Sequence, residues 1–261
     1  MPRFRSIALL ALLLLVIVGF GGPLAAAADE SSKTPAQILA DVQRDLGKVR
    51  SYHFTGSEVD GKTTTRLAGD VSAAGRADIT IRQRASSVRV ILLPPAMYVK
   101  ANAAYWKANG GSQGSKLADK LAGRWFKAND ASLKSLADDL LPKHLASCVA
   151  VGTGTLTKGG VASVGGKRAV VVVDEGDKPG TTPGRLYVTN SAPILPLRLL
   201  QTGKRKPGGH LDKRCQDSGD TSTASDVRFS AFDEALHIKA PHGAIEVPTG
   251  DSGATPAELA P

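Results

Sequence analysis

The chain has 261 residues, a formal net charge of +9, and 42% hydrophobic but only 5% aromatic residues. Its basic residues are scattered, with Lys204-Arg205-Lys206 the one dense run, and few rings stand among them. That pattern argues against a nucleic-acid surface, which clusters its charges and interleaves stacking aromatics.

The first segment reads as an export signal. Arg3 and Arg5 form a positive n-region, Ile7 to Phe20 an apolar run, and Gly21-Gly22-Pro23 a break. Small residues from Leu24 to Ala28 then offer a peptidase site, placing cleavage between Ala26 and Asp29. The competing reading is an uncleaved anchor, since Ile7 to Ala28 nearly reaches a bilayer span. No cysteine lies near the site, so lipid attachment there is excluded. Residues 1–28 are therefore assigned to the signal and 29–250 to one domain. Residues 251–261 are assigned to a disordered tail. A basic surface outside the cytoplasm suits contact with anionic headgroups or wall polymers, although solubility alone would also explain it. The two cysteines, Cys148 and Cys215, are an even count in an exported chain and predict one disulfide.

In chain order, Thr34-Pro35-Ala36-Gln37 is a capping box with proline at the first helical position. Ile38, Leu39, Val42, Leu46 and Val49 then share one face, which predicts a helix over 34–49. The period next changes to two. Tyr52 and Phe54 share a face in 51–58, Leu67 and Val71 in 63–72, and Ile79 and Ile81 in 76–84. Val88, Val90 and Leu92 do so in 87–93. Met97 to Lys100 and Tyr105 to Lys107 are two further short strand patterns. Turns at Asp60-Gly61, Ala74-Gly75 and Pro94-Pro95 favour sequential antiparallel pairing. Ser115 to Ala122 predicts a short helix. Leu133, Leu136, Leu140 and Leu141 predict another, kinked or ended by Pro142. Strand patterns return at 153–157, 168–174, 184–189, 195–201 and 226–232, with a polar loop at 203–225. The class is α+β: a curved antiparallel sheet with helices over one face.

Motifs for catalysis are thin. Gly110-Gly111-Ser112-Gln113-Gly114 matches G-x-S-x-G formally, but an elbow needs a buried parallel strand before it. The segment reads as a flexible loop. His53, His144, His210, His237 and His242 form no metal-ligand pattern, and His237 and His242 straddle Pro241. Asp174, Glu175 and Asp177 lack the spacing of a calcium loop and read as a strand-end turn. No cofactor motif and no metal site is expected. What remains is an apolar sheet face; periodicity does not separate core from cavity wall, and composition alone favours a plain core.

Several stretches resemble the actinobacterial LppX/LprAFG lipoprotein family. They are Val49-Arg50-Ser51-Tyr52-His53-Phe54 after the first helix, Met97-Tyr98-Val99-Lys100 and Ala104-Tyr105-Trp106-Lys107. Gly123-Arg124-Trp125-Phe126-Lys127, Leu186-Tyr187-Val188, Pro196-Leu197-Arg198-Leu199 and Phe229 to Pro241 continue the match in the same order. The resemblance implies a LolA/LolB-like half-barrel closed by helices over an apolar pocket, and a non-catalytic lipid or glycolipid carrier of the cell envelope. Members commonly carry a lipobox cysteine, which this chain lacks. The pocket residues implied are Tyr52, Phe54, Leu67, Val71, Ile79, Ile81, Val88, Val90 and Leu92. The expectation is a monomeric, exported lipid carrier that meets a membrane surface or envelope protein. The alternative is a sensor or protein-interaction module on the same fold without lipid cargo.

Overall fold

The computed structural model describes residues 29–128, 140–151, 153–209, 215 and 224–246. The expected signal (1–28), the tail (251–261), Leu133, Leu136, His210 and most of the 203–225 loop lie outside the described residues.

Helix α1 (Pro35–Leu46) starts where the capping box predicts. Thr34 is extended, its Oγ1 accepts from Gln37 N, and Gln37 Oε1 accepts from Thr34 N at 2.9 Å. Ile38, Leu39, Val42 and Leu46 bury one face of the helix.

An antiparallel meander follows: β1 (Ser51–Asp60), β2 (Thr63–Ser72), β3 (Ala77–Gln83), β4 (Ser86–Leu93) and β5 (Ala96–Ala101). Next come α2 (Ala103–Asn109), a 3-10 turn (Gly111–Gln113), α3 (Gly114–Leu121) and β6 (Trp125–Ala128). Tyr105 to Lys107, read from sequence as a strand, is therefore helical. Asn102 caps it, its Oδ1 accepting from Tyr105 N at 3.0 Å. Helix α4 (Pro142–Cys148) carries Pro142 in its first turn, so this proline begins a helix.

The chain then returns through β7 (Leu156–Val164), β8 (Lys167–Asp174), β9 (Gly184–Thr189), β10 (Pro196–Gln201) and β11 (Ala224–Ser230). The pattern read at 153–157 lies mostly before β7, whose true body contains Gly159-Gly160. The strand read at 226–232 ends at Ser230, since Ala231 and Asp233 take positive φ. A two-residue strand, β12 (Ile245–Glu246), pairs in parallel with β6.

All the strands join one twelve-stranded sheet in the order β12-β6-β5-β4-β3-β2-β1-β11-β10-β9-β8-β7. The meander thus continues across β1 to β11, and β12 and β7 are left as its two edges. The fold is α+β with an open, antiparallel-dominated sheet, as expected. At the β7 edge the register shifts between Lys158 and Val161. A Cβ on Gly159 would come within 2.9 Å of the Val171 and Val173 side chains, so glycine is needed at this bulge. The predicted disulfide is present: Cys148, at the end of α4, is bonded to Cys215.

Candidate functional site: the concave sheet face

Cross-strand partners in an antiparallel pair point to the same face, so the registers define rows across the sheet. One row runs Tyr52, Val71, Ala77, Leu92, Met97. The second runs Phe229, Phe54, Gly69, Ile79, Val90, Val99, Phe126. The third runs Leu186, Leu199, Val227, Gly56, Leu67, Ile81, Val88, Ala101. Every predicted pocket residue falls in these rows, all on the face that meets α1.

The rows differ in cover. In the first, Tyr52, Val71 and Leu92 are fully buried and share a core with Ile38, Val42 and Leu46 of α1. Tyr52 Oη donates to Leu140 O at 2.7 Å, tying the segment before α4 to the sheet. Burial pushes the Tyr52 phenol above its ordinary range, so it remains a neutral donor. The second row is likewise closed: Phe54, Ile79 and Val90 are buried, and Trp106 of α2 stacks edge-on against Phe126, centroids 5.2 Å apart. In this structure these two rows act as core.

The third row is different. Leu67, Ile81 and Val227 are only partly buried, and Leu199 is 44% exposed. This row lies toward the hairpin end of the sheet, where β1–β2 and β3–β4 turn. One step beyond it stand Gln201, Ser225, Glu58, Thr65, Gln83 and Ser86 on the same face. Gln83 Nε2 donates to Thr65 Oγ1 at 3.0 Å. The concave face thus grades from closed core, through a half-open apolar row, to a polar rim.

The α2–α3 pair flanks this face on the β4–β6 side. Gly123 N donates to Ala101 O, and Asn102 Nδ2 to Ala85 O at 2.7 Å, pinning the pair to the sheet. The two helices approach closely because Gly110 and Gly114 carry no side chains. A Cβ on Gly110 would lie 2.6 Å from Gly114 Cα and 2.7 Å from Trp106 O. That explains the glycines of the G-x-S-x-G match. Ser112 sits in the 3-10 turn between two helices, so the strand–turn–helix of a nucleophile elbow is not formed. Trp106 Nε1 is buried in this core without a hydrogen-bond partner. Sequence reasoning missed it because Tyr105-Trp106 was read as strand.

The other candidates lie elsewhere. His53 is on the convex face, its Nδ1 2.8 Å from Asp70. Asp174 accepts from Gly154 N and Gly176 N, and Asp177 accepts from Thr155 N and Oγ1. These carboxylates order a strand-end turn, as read from the sequence. Two grooves flank α1. One of 430 Å³ is lined by Arg44, Asp45, Lys48 and the Ala192–Leu195 turn, and one of 290 Å³ by Lys33, Gln37, Ala40 and Asp41. Both carry charge, and neither contains a predicted pocket residue.

Comparison with solved structures finds the same architecture in LprF from Mycobacterium bovis, with a TM-score of 0.53 at 15% identity. The match covers 80% of this chain and 97% of LprF. The fold is that of LprF. The lipoprotein LppX of Mycobacterium tuberculosis matches at 13% identity over 78% of this chain and 99% of its own, with a TM-score of 0.47. MucB from the MucA/MucB complex of Pseudomonas aeruginosa matches at 16% identity over 79% of this chain and 61% of its own, with a TM-score of 0.37. No protein-family model and no curated protein matches the chain. The LprF-type fold is therefore established by architecture, at an identity that speaks to fold alone. Among the described residues, no helix is long and apolar enough to cross a membrane.

Proposed function

We propose that the chain is an extracytoplasmic, non-catalytic carrier of a lipid or glycolipid, with residues 29–250 as its binding domain. The observation that carries this reading is the third row, Leu199–Val227–Leu67–Ile81, which leaves apolar surface half-open beside a closed core. An acyl chain laid along it would gain about 0.8 kcal/mol per buried CH₂. The polar rim of Gln201, Ser225, Thr65 and Gln83 would then lie at the headgroup. The export signal read at the start of the chain supports a role in the cell envelope.

The test is to purify the folded protein from a lipid-containing envelope, extract it with organic solvent and identify the extract by mass spectrometry. One lipid per chain supports the carrier and names its cargo class. A blank from folded protein that also fails to bind a fluorescent fatty-acid probe at micromolar concentration overturns it.

A further inference from the structure

The convex face of the same strands has its own pattern. Two of its arginines are neutralised by acids. Arg89 bonds Asp78 at 2.8 and 2.6 Å, and Arg198 bonds Asp226 at 2.7 Å through both of its contacting nitrogens. Toward the hairpin end the cross-strand partners of the arginines are no longer acids. Arg66 on β2 faces Arg82 on β3 directly across the sheet, and both are exposed. Their other cross-strand neighbours are Ser57 and Ser87. Lys62 lies in the β1–β2 turn and Arg84 in the β3–β4 turn, and both are exposed. Arg84 Nη2 donates to Thr63 Oγ1 at 3.3 Å. The acids of these two hairpin tips are Asp60, exposed at the turn, and Glu58, which belongs to the concave face.

Like charges directly opposite one another destabilise a strand pair. Arg66 and Arg82 are held that way with serines beside them, an arrangement that an external anion would relieve. We propose that this basic lip, Lys62, Arg66, Arg82 and Arg84, docks the protein on the anionic surface of a lipid bilayer. The charges are complementary, and arginine forks suit phosphate oxygens. The same two hairpins carry the half-open apolar row and polar rim on their other face. Docking by this lip therefore brings to the bilayer the end of the sheet at which the half-open row lies, on the opposite face of the same strands. The choice of a bilayer over a soluble polyanion rests on the carrier reading.

The experiment is co-sedimentation of the full chain with phosphatidylcholine vesicles, with and without about 30 mol % phosphatidylglycerol, at low and high salt. Each basic residue at an anionic surface is worth roughly fivefold in partitioning. The Arg66→Gln/Arg82→Gln variant should therefore bind anionic vesicles about 30-fold more weakly, and high salt should remove the difference. Lys167→Gln/Arg168→Gln removes the same charge at the opposite end of the sheet and should bind as the parent does. Equal binding by the first variant, or an equal loss in the second, overturns the proposal. So does an Arg66/Arg82-dependent affinity for soluble polyglutamate with none for vesicles. The fluorescent fatty-acid probe is measured in parallel on all three proteins. Loss of probe binding in the parent refutes the carrier and not the docking surface, whereas the variants should keep it.

Discussion

At the scale of single residues, close approach and ion pairing decide more than chemistry does. A Cβ at Gly110 would press on backbone atoms of Gly114 and Trp106, which cannot swing aside as a flexible side chain would. Gly110→Ala should lower stability by about 1–3 kcal/mol, whereas Ser112→Ala should change it by less than about 0.5 kcal/mol. Thermal unfolding of the two variants side by side checks this. Asp45 is a second case. The Arg44 guanidinium, helped by the Ile194 N–H, holds the Asp45 carboxyl below the usual carboxylate range. A depressed folded pKa gives stability that is fully present above the unfolded value of about 3.9. That stability is lost as pH falls through the folded value. Asp45→Asn should therefore be less stable than the parent at neutral pH and should lose less on acidification below about pH 4. Denaturant midpoints measured across that range would show it.

At the scale of elements, the long amphipathic and alternating segments were legible. The capping box placed α1, and two-residue alternation between short turns placed β1 to β5. Short elements were not. Helix α2 has seven residues, too few for a 3.6-residue period to declare itself, and its Tyr-Trp pair mimics a strand. The Asn102 cap was the signal that could have corrected it. Pro142 was read only as a kink or end of the helix before it; the helix it begins went unread, although proline fits a first helical turn, where its missing N–H costs nothing. The two residues of β12 carry no pattern, because their strand exists through pairing with β6. The cysteine pair was legible from count and compartment alone. It closes a 67-residue separation. Replacing both cysteines by serine should therefore lower stability by about 4 kcal/mol in the chain-entropy picture, seen as a lower denaturant midpoint under oxidising conditions.

At the scale of the molecule, the sequence grouped these apolar residues on one face but did not show how deeply each is covered. The registers that align Tyr52 with Val71 and Leu67 with Ile81 follow from alternation and short turns. Which rows are covered depends on how α1 and α2 lie on the sheet, and a strand's own pattern carries no trace of that. Leu199 shows the gap: its segment was read as strand, but its register against β9 shifts between Pro196 and Arg198, and that shift sets it opposite Leu186. Since Leu199 is 44% exposed, Leu199→Ser should leave stability within about 0.5 kcal/mol of the parent while weakening fatty-acid probe binding about tenfold. Probe titration together with thermal melting separates the two effects.

An open sheet also has two ends, and each exposes backbone groups that could template the strand of another molecule. At one end β12 is two residues long, too short to recruit a partner. At the other, the Gly159-Gly160 bulge breaks the hydrogen-bond ladder of β7, and Lys158 turns its ammonium to Ser31 O at 2.5 Å. Both ends are blunted by local geometry. The protein can therefore keep its half-barrel unclosed without inviting edge-to-edge polymerisation.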